Sequence, residues 1–238
     1  MPPLLKVNNI SKSYGALTVS DHVSFDVGSQ EILGVVGPNG AGKTTLFGLI
    51  SGDIAADSGT IELEGSRIDH LGSARRTHSG LARTFQIPKP FTHMKVIDNL
   101  RVAATFGAKT PRSEVAALVA QTLEATHLTS VADLLAGALP LLARRRLELA
   151  RALASRPKVL LVDEVAGGLT DPEVDEFIHL IKTIRESGVS IIWIEHVMRA
   201  MTAATDRLIA LDQGRVIAEG EPAEVFEHEE VRRVYTGT

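Results

Sequence analysis

The sequence predicts an α/β fold: a parallel sheet covered by helices, an antiparallel β portion near the start, and a helical stretch inserted between. Three observations predict it. After Pro157, short apolar runs alternate with helical patterns in a strand–helix–strand rhythm. The first seventy residues carry β-branched or alternating apolar segments broken by glycines. The middle of the chain repeats its apolar residues at helical spacing.

In chain order, Leu4–Ile10, Val23–Val27 and Glu31–Val36 are strands, interrupted by Gly15, Gly28 and Gly37. Thr44–Ile50 is a helix stopped at Ser51-Gly52. Thr60–Leu63 and Arg67–Ile68, around Glu64-Gly65-Ser66, form a hairpin. Ser113 with Glu114 starts a helix whose inner face is Val115, Leu118, Val119, Thr122 and Leu123. A second helix over Arg144–Ser155 ends before Pro157. Lys158–Val162, Val189–Ile194 and Arg207–Leu211 are buried strands. Between the first two of these, a helix over Glu173–Ser187 turns Val174, Phe177, Ile178, Ile181 and Ile184 inward.

Composition narrows the function. With 238 residues, 44% hydrophobic and 23% charged, the chain has a globular balance and enough length for a large core. Its 25 Lys and Arg face 29 Asp and Glu, a net charge of -4, which disfavours a nucleic-acid coat protein. With no cysteine, disulfides, thiolate metal sites and cysteine nucleophiles are excluded. Aromatics at 4% leave little for single-strand stacking platforms. The apolar run after Asp133 stops at Arg144, too short to span a bilayer, and Met-Pro-Pro-Leu-Leu-Lys lacks a signal-peptide core, so a cytoplasmic location is expected.

Gly37-Pro38-Asn39-Gly40-Ala41-Gly42-Lys43-Thr44 fits G-x-x-x-x-G-K-[ST] between a strand and a helix, the context this motif requires. Glycines let backbone N–H groups converge on phosphate oxygens, and the following helix points its positive end at the same anion. Lys43 would neutralise β- and γ-phosphate charge, and the Thr44 hydroxyl would ligate magnesium. The bland alternative is a glycine-rich turn with an accidental lysine; chance gives the four fixed positions in roughly one chain in a hundred. The motif therefore reads as a nucleoside triphosphate site.

Val159-Leu160-Leu161-Val162 leads into Asp163-Glu164. A buried parallel strand delivers terminal carboxylates to the carboxyl edge of the sheet, beside the phosphate loop. There Asp163 would hold magnesium through a water and Glu164 would polarise an attacking water. An isolated Asp-Glu pair would read as a solvated turn; behind four apolar strand residues it favours ATP hydrolysis.

With these residues in place, the chain resembles the ATP-binding subunits of ABC transporters from about Tyr14 to Val225. The resemblance implies a P-loop NTPase (RecA-like) core with a parallel sheet, an antiparallel β subdomain and an inserted helical subdomain. It implies one domain over 1–238, with 1–86 and 156–220 as the ATP-binding core and β subdomain, 87–155 helical, and 221–238 a C-terminal helical tail. It assigns Tyr14 to stacking on adenine and Gly37, Pro38, Asn39, Gly40, Ala41, Gly42, Lys43, Thr44 and Thr45 to the phosphates. Gln86, in Arg83-Thr84-Phe85-Gln86, is implied to contact magnesium and the attacking water, and His196, in Ile194-Glu195-His196, the γ-phosphate. ATP and Mg2+ are the implied ligands. Membrane permease subunits, a second ATPase subunit or a second copy, and indirectly a solute-binding protein are the implied partners, placing the chain on the inner face of the plasma membrane. No nucleic acid is expected. Met94–Leu100, Glu195-His196-Val197-Met198 and Gly220-Glu221-Pro222 look like the branched-chain amino-acid importers, whose relatives also import urea, amides and aromatic acids.

The pattern breaks at the family's Leu-Ser-Gly-Gly-Gln hallmark. Counting back from the helix at Arg145–Leu153, its positions are Leu139, Pro140, Leu141, Leu142 and Ala143, and only the leucine matches. Pro140 removes a hydroxyl and an N–H, Leu141 and Leu142 place side chains where phosphate must approach, and Ala143 lacks an amide. Leu139–Leu142 reads as a hydrophobic loop, and Arg144, Arg145 and Arg146 as a solvated helix start. Val165 replaces the usual proline, and Thr170 stands at the usual aspartate position, with Asp171 one later and without an assigned role. Two other readings compete with an importer ATPase. The lost hallmark favours a nucleotide-binding regulatory or structural subunit with little turnover. A soluble ABC ATPase of translation or repair would have two ATPase units or long coiled coils, which this chain lacks.

Overall fold

The structure, a computed structural model, describes residues 2–236; Met1 and positions 237 and 238 of the expected tail lie outside them. Strands β1 (Leu5–Tyr14), β2 (Leu17–Val27), β4 (Ser58–Leu63) and β5 (Ser66–Arg67) form an antiparallel sheet in the order β2-β1-β4-β5. A second sheet runs β10 (Arg215–Gly220), β9 (Arg207–Asp212), β3 (Ile32–Val36), β8 (Ser190–Ile194), β7 (Val159–Asp163), β6 (Leu81–Arg83). Its strands are parallel except β10, which returns from β9 as a hairpin.

The central strands are buried on both faces, which explains their unbroken apolar runs. Along β7, Val159 and Leu161 face the core shared with the antiparallel sheet, while Leu160 and Val162 face the opposite core. Along β8, Ile192 and Ile194 take the first side, Ile191 and Trp193 the second. This is the period-two alternation of a strand. Helix α1 (Lys43–Ser51) packs Leu46, Phe47, Leu49 and Ile50 into the first core. Helix α6 (Asp171–Glu186) packs Val174, Phe177, Ile178, Ile181 and Ile184 into the second, with Thr170 and Glu173 closing its first turn at 2.8 Å.

A third core is built only from residues between Val96 and Ala154. It joins α3 (Val96–Val102), which continues as one π-helical turn over Ala103–Gly107, to α4 (Arg112–Ala125) and α5 (Leu141–Leu153). The structure extends the expected strands: β1 continues to Tyr14 and β2 begins at Leu17, because polar residues there pair across the hairpin. It also adds α2 (Ser73–His78) and α7 (Met198–Ala204), while α8 (Pro222–Glu227) and α9 (Glu229–Thr236) lie in the stretch expected as a helical tail. No helix among the described residues is long and apolar enough to cross a membrane.

Candidate active site

Strand β3 ends at Val36, and the chain turns through Gly37–Gly42 into α1. Two glycines are demanded by the turn. At Gly37, with φ 152°, a Cβ would collide with the Leu211 carbonyl; at Gly42, with φ 102°, it would strike the Val19 carbonyl. The loop is braced by the β9–β10 turn, where Gly214 N donates to Ala41 O at 3.0 Å. Lys43 is buried inside the loop, its Nζ donating to Gly37 O at 2.8 Å and Pro38 O at 3.0 Å. Burial pushes the Lys43 ammonium below the ordinary lysine value, while the Glu164 and Asp163 carboxylates pull it back up. Helix α1 has no side-chain cap and no acidic residue in its first turn. Its leading N–H groups, a buried cation and a cradle closed to Cβ atoms fit a polyphosphate.

Three neighbouring parallel strands deliver the other groups to the same edge. Asp163 is the last residue of β7, and Glu164 follows at φ 44°, held by Glu164 N donating to Ile194 O at 2.9 Å. A non-glycine residue in this left-handed conformation carries strain and projects its carboxylate out of the strand line. His196 follows β8, with Nε2 2.6 Å from Glu164 Oε1. Gln86 follows β6, and its Nε2 donates to Glu164 Oε2. Thr84 stitches the two segments, with Thr84 N donating to Leu161 O at 2.8 Å and Asp163 N to Thr84 Oγ1 at 3.1 Å.

Asp163 is 3% exposed and accepts from Arg83 Nη2 at 2.8 Å. Burial raises the Asp163 carboxyl above its ordinary range, and the Arg83 guanidinium opposes this. Arg83 also lies 3.3 Å from Asp53, with its guanidinium carbon 5.7 and 5.3 Å from the ring centres of Phe47 and Phe85. Glu195, buried beside the cluster, accepts from the backbone N–H groups of Ala166 and His196, both at 2.9 Å. A divalent ion here would have the Thr44 hydroxyl and Asp163 as protein ligands, the sparse oxygen set that suits magnesium carried on phosphates.

Gln86 and His196 thus each touch Glu164, and Asp163 and Lys43 lie in the same electrostatic neighbourhood. Tyr14 stands at the tip of the β1–β2 hairpin, half exposed, with Lys12 Nζ 5.4 Å from its ring centre; farther along β2, Val19 abuts Gly42. Two expectations are corrected. Leu139–Leu142 is not a loop: Leu139 is buried, Pro140 caps α5, and Leu141 and Leu142 are already helical, with Leu142 packed toward the core under α6. Nor are the three arginines a solvated start. Arg144 is exposed, but Arg145 is buried, and Arg146 pairs with Glu176 at 2.5 Å. Sequence reasoning also missed Arg83 as a partner of Asp163, and Tyr235 on α9, whose hydroxyl accepts from Gly37 N at 2.8 Å. No local signal could have joined Tyr235 to a loop 198 residues earlier.

The sequence matches the ABC transporter family over residues 20–167 and the branched-chain amino acid ATP-binding cassette transporter family over 215–238. It is 35% identical to the high-affinity branched-chain amino acid transport ATP-binding protein BraF of Pseudomonas aeruginosa, covering 99% of this chain and 98% of that protein. It is 33% identical to the lipopolysaccharide export system ATP-binding protein LptB of Escherichia coli, covering 98% and 97%. Among solved structures, the ADP conformation of MJ1267, an ATP-binding cassette of an ABC transporter, superposes with a TM-score of 0.90 at 28% identity over 100% of both chains. The fold, the site and these relatives lead to one conclusion: this chain belongs to the ABC transporter family, as one of its ATP-hydrolysing, nucleotide-binding cassettes.

Proposed function

We propose that the chain is the ATP-hydrolysing subunit of an importer for branched-chain amino acids or a related small polar solute. In this reading it acts on the cytoplasmic face of the membrane with permease subunits, a second ATPase subunit and, indirectly, a solute-binding protein. The observation that carries the hydrolytic part is the Glu164 carboxylate held between Gln86 and His196 beside the phosphate loop. The match over 215–238 and the likeness to BraF support the amino-acid cargo; the likeness to LptB, an export component, means that overall similarity alone does not set direction.

The phosphate loop and Lys43 bind the triphosphate, and Tyr14 stacks on the adenine. Thr44 through its hydroxyl and Asp163 through a water would hold Mg2+, with Gln86 beside them, and the ion would supply neutralisation of phosphate charge. Glu164 orients a water toward the γ-phosphorus and receives its proton. A new P–O bond forms, the bond to the β,γ-bridging oxygen breaks, and ADP leaves with that electron pair. His196 turns its Nε2 from Glu164 to the γ-phosphate. The altered hallmark at Pro140–Ala143 favours a second reading, a regulatory subunit with little turnover of its own. Leucine uptake by cells lacking this chain tests the proposal. Wild-type protein should restore uptake and Lys43→Ala should not; unchanged uptake in the deletion strain removes the branched-chain cargo.

A further inference from the structure

Helix α5 grips the segment that carries Gln86 through side chains spaced three residues apart. Arg145 Nη1 donates to the Gln86 carbonyl, and its Nη2 lies 3.5 Å from the Gly167 carbonyl. One turn on, Glu148 accepts the Lys89 backbone N–H; a further turn on, Arg151 Nη1 donates to the Lys89 carbonyl at 2.8 Å and to Glu148 at 3.0 Å. Residues at i and i+3 lie on adjoining turns of one helix face, so this stripe meets an extended backbone along its length. Gln86-Ile87-Pro88-Lys89 has no strand partner here, and the helix side chains satisfy its polar groups instead.

Arg145 differs from the other two. Its one guanidinium reaches both the Gln86 segment and the loop after Glu164. Two buried carboxylates, Glu195 and Glu148, supply compensating charge. Glu195 in turn holds Ala166 and His196. The planar fork of arginine suits a bridge between two carbonyls; an ammonium, as a point donor, does not. The helix is also the one that opens within the altered hallmark, at Leu141, four residues before Arg145.

The geometry points to Arg145 as a positioning residue for the Gln86–Glu164–His196 cluster: it fixes the Gln86 segment and the Gly167 loop to α5, so that the Gln86 amide meets Glu164 only while α5 is seated. This rests on the proposed reading of the cluster as the hydrolytic site. It assigns a role to a residue that touches neither nucleotide nor water.

The test uses the full chain as wild type, Arg145→Met and Arg145→Lys, each with and without Gln86→Ala. Hydrogen exchange should rise about tenfold in peptides spanning 84–91 and 164–169 for Arg145→Met, with an intermediate rise for Arg145→Lys. Exchange at 37–45 and ADP affinity should stay within about twofold. Single-turnover hydrolysis, measured in the complete assembly in excess over Mg-ATP, should fall about tenfold for Arg145→Met, yet less than twofold when Gln86 is already alanine, because the two residues act in series. Equal losses in both backgrounds, or unchanged exchange at 84–91 in either variant, overturn the proposal. Should Arg145→Met fail to fold, Arg145→Lys, which keeps the stem and charge, decides by the same two readouts. Glu164→Gln is run alongside. If it hydrolyses ATP like wild type, the hydrolytic reading of the cluster falls, whereas the exchange result still reports on the Arg145 bridge.

Discussion

His196 Nε2 lies 2.6 Å from Glu164 Oε1, while Gln86 donates to the other oxygen of the same carboxylate. Each oxygen of the proposed base therefore already accepts one hydrogen bond and keeps a second lone pair for a water, and the base gains strength when His196 turns to another acceptor. In the proposed mechanism the γ-phosphate offers His196 that alternative. Activation of the base would then be coupled to arrival of the triphosphate, since ADP gives His196 no γ-oxygen to move to.

Glu164→Gln should retain ATP binding and lose turnover by about a hundredfold or more, because the amide still hydrogen-bonds but cannot take a proton. His196→Ala should also slow turnover while freeing one Glu164 oxygen. Hydrolysis rates in the complete assembly check both. Wild-type rates for Glu164→Gln would remove Glu164 from the catalytic role.

Mg-ATP should stabilise the chain by about 2–4 kcal/mol at saturation, as expected for a ligand that binds only the native state. Lys43→Ala should lose most of that gain, since Lys43 is the buried cation of the phosphate loop. Thermal unfolding with and without millimolar Mg-ATP reads the difference, and an unchanged wild-type midpoint would remove the loop's proposed role.

Arg83→Met should destabilise the apo chain by about 3 kcal/mol or more, because Asp163 would be left buried without its cation. Adding Asp163→Asn should restore part of the loss by removing the stranded charge. Mg-ATP should narrow the Arg83→Met deficit, giving Asp163 a new partner. Urea unfolding of the two single variants and the double variant measures this coupling, and additive losses would contradict it.

How much of this was legible depends on whether the physics is local. Strands β3, β7 and β8 stand out because both faces are buried and their runs are apolar except at Asp163, which ends β7, and Ser190, which opens β8. The phosphate loop stands out because glycine is required where a Cβ would strike Val19 or Leu211. By contrast, the six-residue α2 and the three-residue β6 are too short for periodicity to reveal. The polar half of β1 is a strand because β2 pairs with it, a tertiary cause. Arg145 misled for a related reason: three successive arginines look solvated, and only the packing of α5 buries the middle one. Tyr235 reaches Gly37 through the fold alone.

Burial raises the Glu195 carboxyl above the ordinary glutamate value, against the backbone N–H groups of Ala166 and His196. The native state then holds this proton more firmly than the unfolded chain. The contribution to stability is present below the unfolded value and is lost as pH rises from there through the raised value. Each unit of that shift corresponds to about 1.4 kcal/mol. Glu195→Gln should flatten the wild-type decline across that window. Unfolding midpoints measured upward from about pH 4.5 compare the two, and parallel profiles would show that Glu195 contributes no such dependence.

The last prediction is that this cassette works as half of an asymmetric pair. In the family it belongs to, each ATP lies between the phosphate loop of one subunit and the hallmark of the other. This chain keeps the first at Gly37–Thr45 but has Pro140, Leu141, Leu142 and Ala143 at the second. Pro140 caps α5 without a side-chain hydrogen bond to its N–H groups, and Leu141 is exposed on the first turn. Each lost donor at developing phosphate charge costs on the order of a hundredfold in rate. The chain alone should therefore be nearly inactive, and a partner retaining the hallmark should complete one site using this chain's Lys43 and Glu164. Placing Ser, Gly, Gly and Gln at 140–143 should raise homodimer activity while lowering stability. Two glycines in the first turn cost about 1 kcal/mol each, and Leu142 gives up its packing toward the core. Activity and stability moving in opposite directions separates hallmark repair from general stabilisation. Pro140→Ser alone should stabilise the helix by about 1 kcal/mol through its cap and restore little turnover. Fast hydrolysis by the unmodified chain alone would show that the hallmark is not placed at these residues or is not needed.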